Sequence, residues 1–245
     1  MGHVEKNMKE WWARVDFGRG SNPSLLTGLY YISRMEEHMI KTQNIPIDLG
    51  GHTVNLTIVK DTEEILVNTL EDGETPVWVE LWPSAIALAR WYWQGPDLSG
   101  LTVLELGAGL GLPGLAAALK GAQLTQTDYI PEAVDLAQLN ARQNGVADRI
   151  SHMIADWRNF TITEKFDIIT GSDFLYQPLL HPYLKNIFEN NLKTGGRLII
   201  GEYGRTDALQ FIQKLISEGW KWEKEVIEIE QGRFRYATKL FVLQR

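Results

Sequence analysis

The chain contains no cysteine, and this single absence removes a disulfide framework, a thiolate-bound zinc or iron–sulfur site and a thiol nucleophile together. No uncharged apolar run reaches the roughly 18 residues that a membrane-spanning helix requires. The N-terminal segment, with charges at Glu5, Lys6, Lys9 and Glu10, lacks the apolar core of a secretory signal, and Lys6 stands where a myristoylation signal needs Ser or Thr. A cytoplasmic protein without a membrane partner is therefore expected. Basic residues are also in short supply. Lys and Arg number 24 against 31 Asp and Glu, giving a formal charge of −7, which argues against a partner held by phosphate neutralisation, such as nucleic acid, and favours a basic one. The five histidines, His3, His38, His52, His152 and His181, share no ligand-like spacing, so no metal site is expected.

What remains is the composition of a folded protein, 44% hydrophobic and 22% charged over 245 residues. That length suits one large α/β domain or a domain with a small extension. Nine tryptophans are unusual and imply either a Trp-rich core or an aromatic ligand surface. Apolar residues from Leu25 to Ile40 recur at helical spacing after Asn22-Pro23, so residues 1–44 are expected to form a helical extension. From Ile45 to Val59 the period changes to two around Gly50-Gly51, which predicts a β-hairpin, followed by a connector to residue 75.

Residues 76–245 then alternate strand and helix. Short apolar strands are expected at Thr102–Leu106, Gln123–Thr127, Ile150–Ile154, Phe166–Gly171 and Arg197–Gly201, with helices near 84–93, 112–120, 131–143, 179–191 and 206–218. Such alternation predicts a mostly parallel sheet with helices on both faces. The two runs around Gln231-Gly232 predict an antiparallel hairpin at one edge. The expected class is thus α/β and Rossmann-like.

Gly109-Leu-Gly111-Leu-Pro-Gly114 formally matches the dinucleotide fingerprint. The strand feeding it, however, carries Glu105 just before Gly107, and a carboxylate there would repel a pyrophosphate. It would attract a ligand with positive charge beside its ribose, such as S-adenosylmethionine with its ammonium and sulfonium. Glycines 107, 109 and 111 permit close backbone approach. Asp128, followed by Tyr129, is placed to accept from ribose hydroxyls. Asp156 could accept from an adenine amino group while Trp157 covers the ring. Taken singly, Glu105 as a surface acid, Asp128 as a helix cap and Asp156 as a loop residue are equally good readings. The three together at strand carboxyl ends favour a ligand.

At this point the sequence resembles the seven-β-strand S-adenosylmethionine-dependent methyltransferases, and within them the family 16 (methyltransferase-like 21) protein-lysine methyltransferases. The resemblance runs from about residue 45 to 245 and rests on Val79-Glu-Leu-Trp82-Pro-Ser-Ala, on Leu104-Glu-Leu-Gly107-Ala108-Gly109-Leu-Gly111 with Asp128, on Asp156-Trp157, and on Ser172-Asp173-Phe-Leu-Tyr176. It implies a seven-stranded sheet. It further implies that Trp82, Gly107, Ala108, Gly109, Asp128, Trp157 and Ser172 contact S-adenosylmethionine, and that Asp173 and Tyr176 shape the acceptor pocket. The expected reaction is an in-line methyl transfer to a protein lysine that must arrive unprotonated, leaving S-adenosylhomocysteine. A small-molecule N- or O-methyltransferase is the alternative, followed by a dinucleotide oxidoreductase and a catalytically silent cofactor-binding module. The base-flipping sequence N-P-P-Y is replaced here by Ser-Asp-Phe-Leu-Tyr, a further argument against nucleic acid.

Overall fold

The strand Thr102–Leu106 shows how the sequence divides its core. Val103 joins one buried cluster while Leu104 and Leu106 join another on the opposite face, so the two-residue period of a strand feeds two layers of helices. In the computed structural model of the chain, residues 41–60 and 77–245 are described. In chain order the elements are β1 (Thr42–Asp48), β2 (Thr53–Val59), α1 (Pro83–Gln94), β3 (Thr102–Leu106), α2 (Leu112–Leu119), β4 (Gln123–Asp128), α3 (Pro131–Gln143), β5 (Ile150–Ile154), β6 (Phe166–Ser172), α4 (His181–Asn191), β7 (Leu192–Glu202), α5 (Thr206–Ser217), β8 (Lys221–Gln231) and β9 (Phe234–Gln244). Proline stands in the first turn of α1, α2, α3 and α4. There its fixed φ is already helical and its missing N–H costs nothing.

β3 to β9 form one seven-stranded sheet in the order β5-β4-β3-β6-β7-β9-β8. β3 pairs in parallel with β4 and β6, β4 with β5, and β6 with β7, whereas β9 runs antiparallel to both β7 and β8. The chain thus builds outward from β3 to β5 and then returns to add β6 on the other flank of β3. That reversal opens a crevice at the carboxyl ends of β3 and β6, where open α/β sheets bind ligands. Side chains of α1, α2 and α3 pack in the first cluster with Val103, Ile168 and Ile199, and those of α4 and α5 pack in the second with Leu104, Ile169 and Ile200.

β1 and β2 form a separate antiparallel hairpin, seated on α3 by side-chain amides. Buried Asn140 accepts from the Thr57 N–H at 2.7 Å and donates to the Thr57 carbonyl at 3.0 Å and the Leu110 carbonyl at 2.9 Å. Gln143 and Asn144 donate to the Asn55 carbonyl, and Asn144 accepts from the Asn55 N–H. The outer edge of β2, which would otherwise leave backbone groups unpaired, is closed by amides that imitate another strand.

Several boundaries differ from expectation. The hairpin begins at Thr42, so residues 42–44, expected in the helical extension, are strand. β7 begins at Leu192 directly after α4, five residues before Arg197 as counted from its bounds. Lys193–Gly196, which reads as a turn, is instead an irregular start to the strand, with Gly195 at φ 76° and a register shift opposite β6. A 3-10 turn, Pro178–Leu180, precedes α4. Trp222 is 48% exposed on edge strand β8, whereas Trp220 is buried. The expected helix before residue 41, with Trp11, Trp12, His3 and His38, lies outside the described residues. No helix among the described residues is long and apolar enough to cross a membrane.

Candidate functional site

The turn after β3 carries Gly107 at φ 64°, Gly109 at φ 51° and Gly111 at φ 78°, all left-handed positions that favour residues without a Cβ. It lies across the end of β4, where the Ala108 N–H donates to the Thr127 carbonyl at 3.0 Å and the Gly109 N–H donates to Asp128 Oδ2 at 2.8 Å. The other Asp128 oxygen accepts from Ile130 N–H at 3.0 Å. Burial pushes the Asp128 carboxyl up, and the N–H groups of Ile130 and Gly109 pull it back. Trp157 lies against Gly107. A Cβ on Gly107 would stand 3.4 Å from its Cζ2 atom, and its ring lies edge-on to Phe174 with centroids 6.0 Å apart. Tyr129 is exposed beside this turn, with the Arg158 guanidinium 5.6 Å from its ring centroid.

Across the β3/β6 seam lies a second group. Asp173 follows β6 with φ 51°, a conformation unusual for a residue with a side chain. Its buried carboxylate accepts from Arg205 at 3.0 Å. Burial pushes that carboxyl up to about 7 and the Glu202 charge adds to the effect, while the Ser84 hydroxyl and Arg205 oppose it. Glu202, the last residue of β7, is fully buried and accepts from the N–H groups of Gly204 and Arg205. The Trp82 indole N–H donates to the Val77 carbonyl at 2.8 Å, which fixes its ring parallel to that of Tyr203. Tyr176 is half-buried on the same side, 5.9 Å from the Arg205 guanidinium.

Gly107, Ala108, Gly109, Asp128, Tyr129 and Trp157 therefore share one side of the crevice, and Trp82, Asp173 and Tyr176 share the other. Ser172 ends β6 and is half-buried. Three expected residues sit differently. Glu105 is not a surface acid, since it is 1% exposed beneath α2 and accepts from Gln126 Nε2 at 2.6 Å. Burial pushes its carboxyl up to about 7, with the Gln126 amide and Gly114 N–H opposing, so the full negative charge supposed from the sequence is only partly present at neutral pH. Gly111 faces α3 rather than the crevice. A Cβ there would stand 2.8 Å from that of Ala137, and its N–H and carbonyl are both used within the chain. Asp156 is engaged by Arg158, which donates three side-chain hydrogen bonds to it, while the Arg158 backbone N–H uses the same carboxylate as the cap of the 3-10 turn Trp157–Asn159. These contacts hold Asp156 below the usual carboxylate range, overriding the partial burial that pushes it up.

Ser84, Glu202, Tyr203 and Arg205 were not singled out from the sequence. The only signal for the last three is their place directly after a buried apolar strand. His181 starts α4, its ring nitrogen 3.0 Å from the Leu175 carbonyl and its ring stacked on Phe211, as a packed helix-start residue would be. Among the described residues no cluster of His, Asp and Glu could hold a metal ion.

The sheet order and the glycine turn at its switch point are those of the Rossmann-like methyltransferases. The magnesium protoporphyrin IX methyltransferase of Synechocystis PCC 6803, solved with bound SAM, shares the fold with a TM-score of 0.53 and 19% identity, covering 66% of this chain and 78% of that one. Within that class the chain belongs to the lysine methyltransferase family, whose sequence model matches residues 60–218. It is 36% identical over 145 residues to the histidine protein methyltransferase 1 homolog of Dictyostelium discoideum, covering 56% of this chain and 47% of that one. It is 34% identical over 136 residues to the electron transfer flavoprotein beta subunit lysine methyltransferase of Rattus norvegicus, covering 53% and 51%. The chain spans about half the length of these curated relatives. The formal dinucleotide match loses its force, because its last two glycines serve helix packing: Gly111 meets Ala137, and a Cβ on Gly114 would collide with Glu105 and Gln126.

Proposed function

We propose that the chain transfers a methyl group from S-adenosylmethionine to a nitrogen of a protein side chain, with a lysine amine as the first candidate. The observation that carries this reading is the convergence of the Gly107–Gly109 turn, Asp128, Trp157 and Asp173 on one crevice at the β3/β6 switch point, in a chain of the lysine methyltransferase family. The donor set suits the cofactor. Asp128 offers an acceptor-only carboxylate for ribose hydroxyls, Trp157 an indole face for adenine, and Gly107 and Gly109 a backbone free of Cβ atoms. Trp82 and Ser172 would border the same ligand. Bound there, the cofactor would supply an electrophilic methyl group on a sulfonium.

The chain's own task is then to orient an acceptor and remove its positive charge. Asp173, with a carboxyl near pH 7, is suited to take a proton from an ammonium at neutral pH, directly or through water. Tyr176 would border the entering side chain. Holding the reacting atoms aligned at about 3 Å supplies much of the rate, without further covalent chemistry. We place the catalytic unit at residues 76–245, with the hairpin as an attached element. The overall charge of −7 suits a basic protein partner. An imidazole nitrogen is the second reading, favoured by the likeness to a relative named for histidine methylation.

Two measurements test this. Calorimetry should show S-adenosylhomocysteine binding and no NAD binding. Tritiated S-adenosylmethionine incubated with the protein and a lysate of its source should label a protein lysine, identified by mass spectrometry, and Asp173→Ala should lose that label. Label confined to nucleic acid or a small metabolite overturns the substrate class.

A further inference from the structure

Arg205 is a prominent charged residue of the crevice to which the proposed function gives no task. It stands between β7 and α5, and its guanidinium carbon lies 4.5 Å from the ring centroid of Tyr203, 5.2 Å from that of Trp82 and 5.9 Å from that of Tyr176. The rings of Trp82 and Tyr203 are parallel within 3°. The same guanidinium donates to Asp173 Oδ1 at 3.0 Å and stands 3.9 Å from Glu202 Oε2. Three ring faces and two buried carboxylates around one positive charge constitute an aromatic cage for a cation.

The resident does not saturate that cage. Asp173 Oδ2 and Glu202 Oε2 are buried and lack a hydrogen-bond partner among the described residues. The carboxylate side chains are 2% and 0% exposed, whereas that of Arg205 is 21% exposed, so among the three charged side chains it is the arginine that reaches solvent. An arginine head on a flexible stem can leave. Glu202 is held by two backbone N–H groups and Asp173 by burial, so the acids cannot follow it.

We propose that this cage is the acceptor subsite and that Arg205 is its built-in occupant, displaced when a cationic side chain of the substrate enters. The proposal rests on the methyltransferase reading only in assigning the cage to the acceptor. An entering ammonium or guanidinium meets the same rings and the carboxylates of Asp173 and Glu202, each with one oxygen that makes no hydrogen bond among the described residues. Occupancy by Arg205 lowers the apparent affinity for any such group in proportion to the time the cage is filled. It also sets a requirement on the ligand: a neutral side chain of the same length gains nothing that would offset expelling the guanidinium and leaving two buried acids uncompensated.

The test compares wild type, Arg205→Ala and Arg205→Gln, each saturated with S-adenosylhomocysteine. They are titrated calorimetrically with acetyl-Gly-Lys-Gly-amide, with its norleucine counterpart and with millimolar guanidinium chloride. A cage filled about nine-tenths of the time predicts about tenfold tighter binding of the lysine peptide and of guanidinium by both variants, with no gain for norleucine. Asp173→Asn added to either variant should abolish the gain. Equal or weaker binding of the lysine peptide by the variants overturns the proposal and makes Arg205 a fixed wall of the site. If Arg205→Ala melts without cooperativity, Arg205→Gln preserves the stem. In that case guanidinium should raise the melting temperature of the glutamine variant alone, and an equal response of wild type again overturns the idea. Failure of wild type to bind S-adenosylhomocysteine would instead remove the methyltransferase reading, and the same peptide comparison on the cofactor-free protein would still decide whether the cage binds cations.

Discussion

Replacing Asn140 with alanine should cost the protein far more than its size suggests. The Asn140 carboxamide is fully buried and uses all four of its hydrogen-bonding positions, on the Thr57 N–H, the Thr57 and Leu110 carbonyls and the Gln143 amide. Alanine removes none of the backbone partners. Thr57 N–H, the Thr57 carbonyl and the Leu110 carbonyl would be left in a buried seam, at about 1 kcal/mol each, for a total of about 3 kcal/mol. For a chain of this length that corresponds to a melting temperature lower by about 6–12 °C. Asn140→Asp should be worse above pH 6, because a carboxylate would face both carbonyls. Asn144→Ala, at the exposed end of the same seam, should cost no more than about 1 kcal/mol. Urea unfolding monitored by tryptophan fluorescence measures all three. A loss within about 1 kcal/mol for Asn140→Ala, or equal losses at 140 and 144, would refute the claim that the amide ladder holds the hairpin to α3 and the glycine turn.

Other consequences can be tested alongside it. The Glu105 carboxyl is raised to about 7 by burial, so its contribution to stability is fully present below about pH 4.5 and is lost as pH rises through 7; Glu105→Gln should show no such loss, and parallel stability curves from pH 5 to 8 would contradict this. If Asp173 accepts the acceptor's proton, the initial rate of label transfer should rise with pH through about 7, and Asp173→Asn should flatten that limb. Asp128→Ala removes both the acceptor for the Gly109 N–H and the proposed ribose ligand, and calorimetry should show at least about tenfold weaker S-adenosylhomocysteine binding. A change under threefold would place the ribose elsewhere. Gly114→Ala forces a methyl group against Glu105 and Gln126 under α2 and should cost about 1–3 kcal/mol in the same unfolding assay.

The sheet was legible in the sequence wherever one physical rule acted alone. Thr102–Leu106 and Ile150–Ile154 have the expected bounds because a short apolar run between turn residues has no better use than a buried strand. The early start of β7 was hidden because Thr194, Gly195 and Gly196 satisfy the preferences of a turn, and only pairing with β6 draws them into the sheet. Candidate residues that belong to a contiguous motif stand out in the sequence, as at Gly107–Gly109 and Asp173. Arg205 does not, since what marks it is the meeting of Trp82, Tyr203 and Glu202 from distant segments. In the sequence Glu105 and Asp156 stand as free acids, because a sequence does not show that Gln126 or Arg158 is close enough to claim the carboxylate. The tryptophans divide in the same way. Trp82 and Trp157 flank the crevice, Trp220 packs, Trp91 donates to Glu225, Trp93 stacks on His52 and Trp222 faces outward.

The strand reversal at β3 and β6 also separates the candidate residues into two structurally distinct sets. The glycine turn, Asp128 and Trp157 belong to β3, β4, β5 and the turns that follow them, while Asp173, Glu202 and Arg205 follow or end β6 and β7. The two halves share one seam of parallel pairing, Val103 to Glu105 against Ile168 to Thr170. On the proposed assignment, substitutions on the β6–β7 side should alter which side chain is accepted while the half proposed to hold the methyl donor keeps its geometry, and variants with new acceptors should be sought there first.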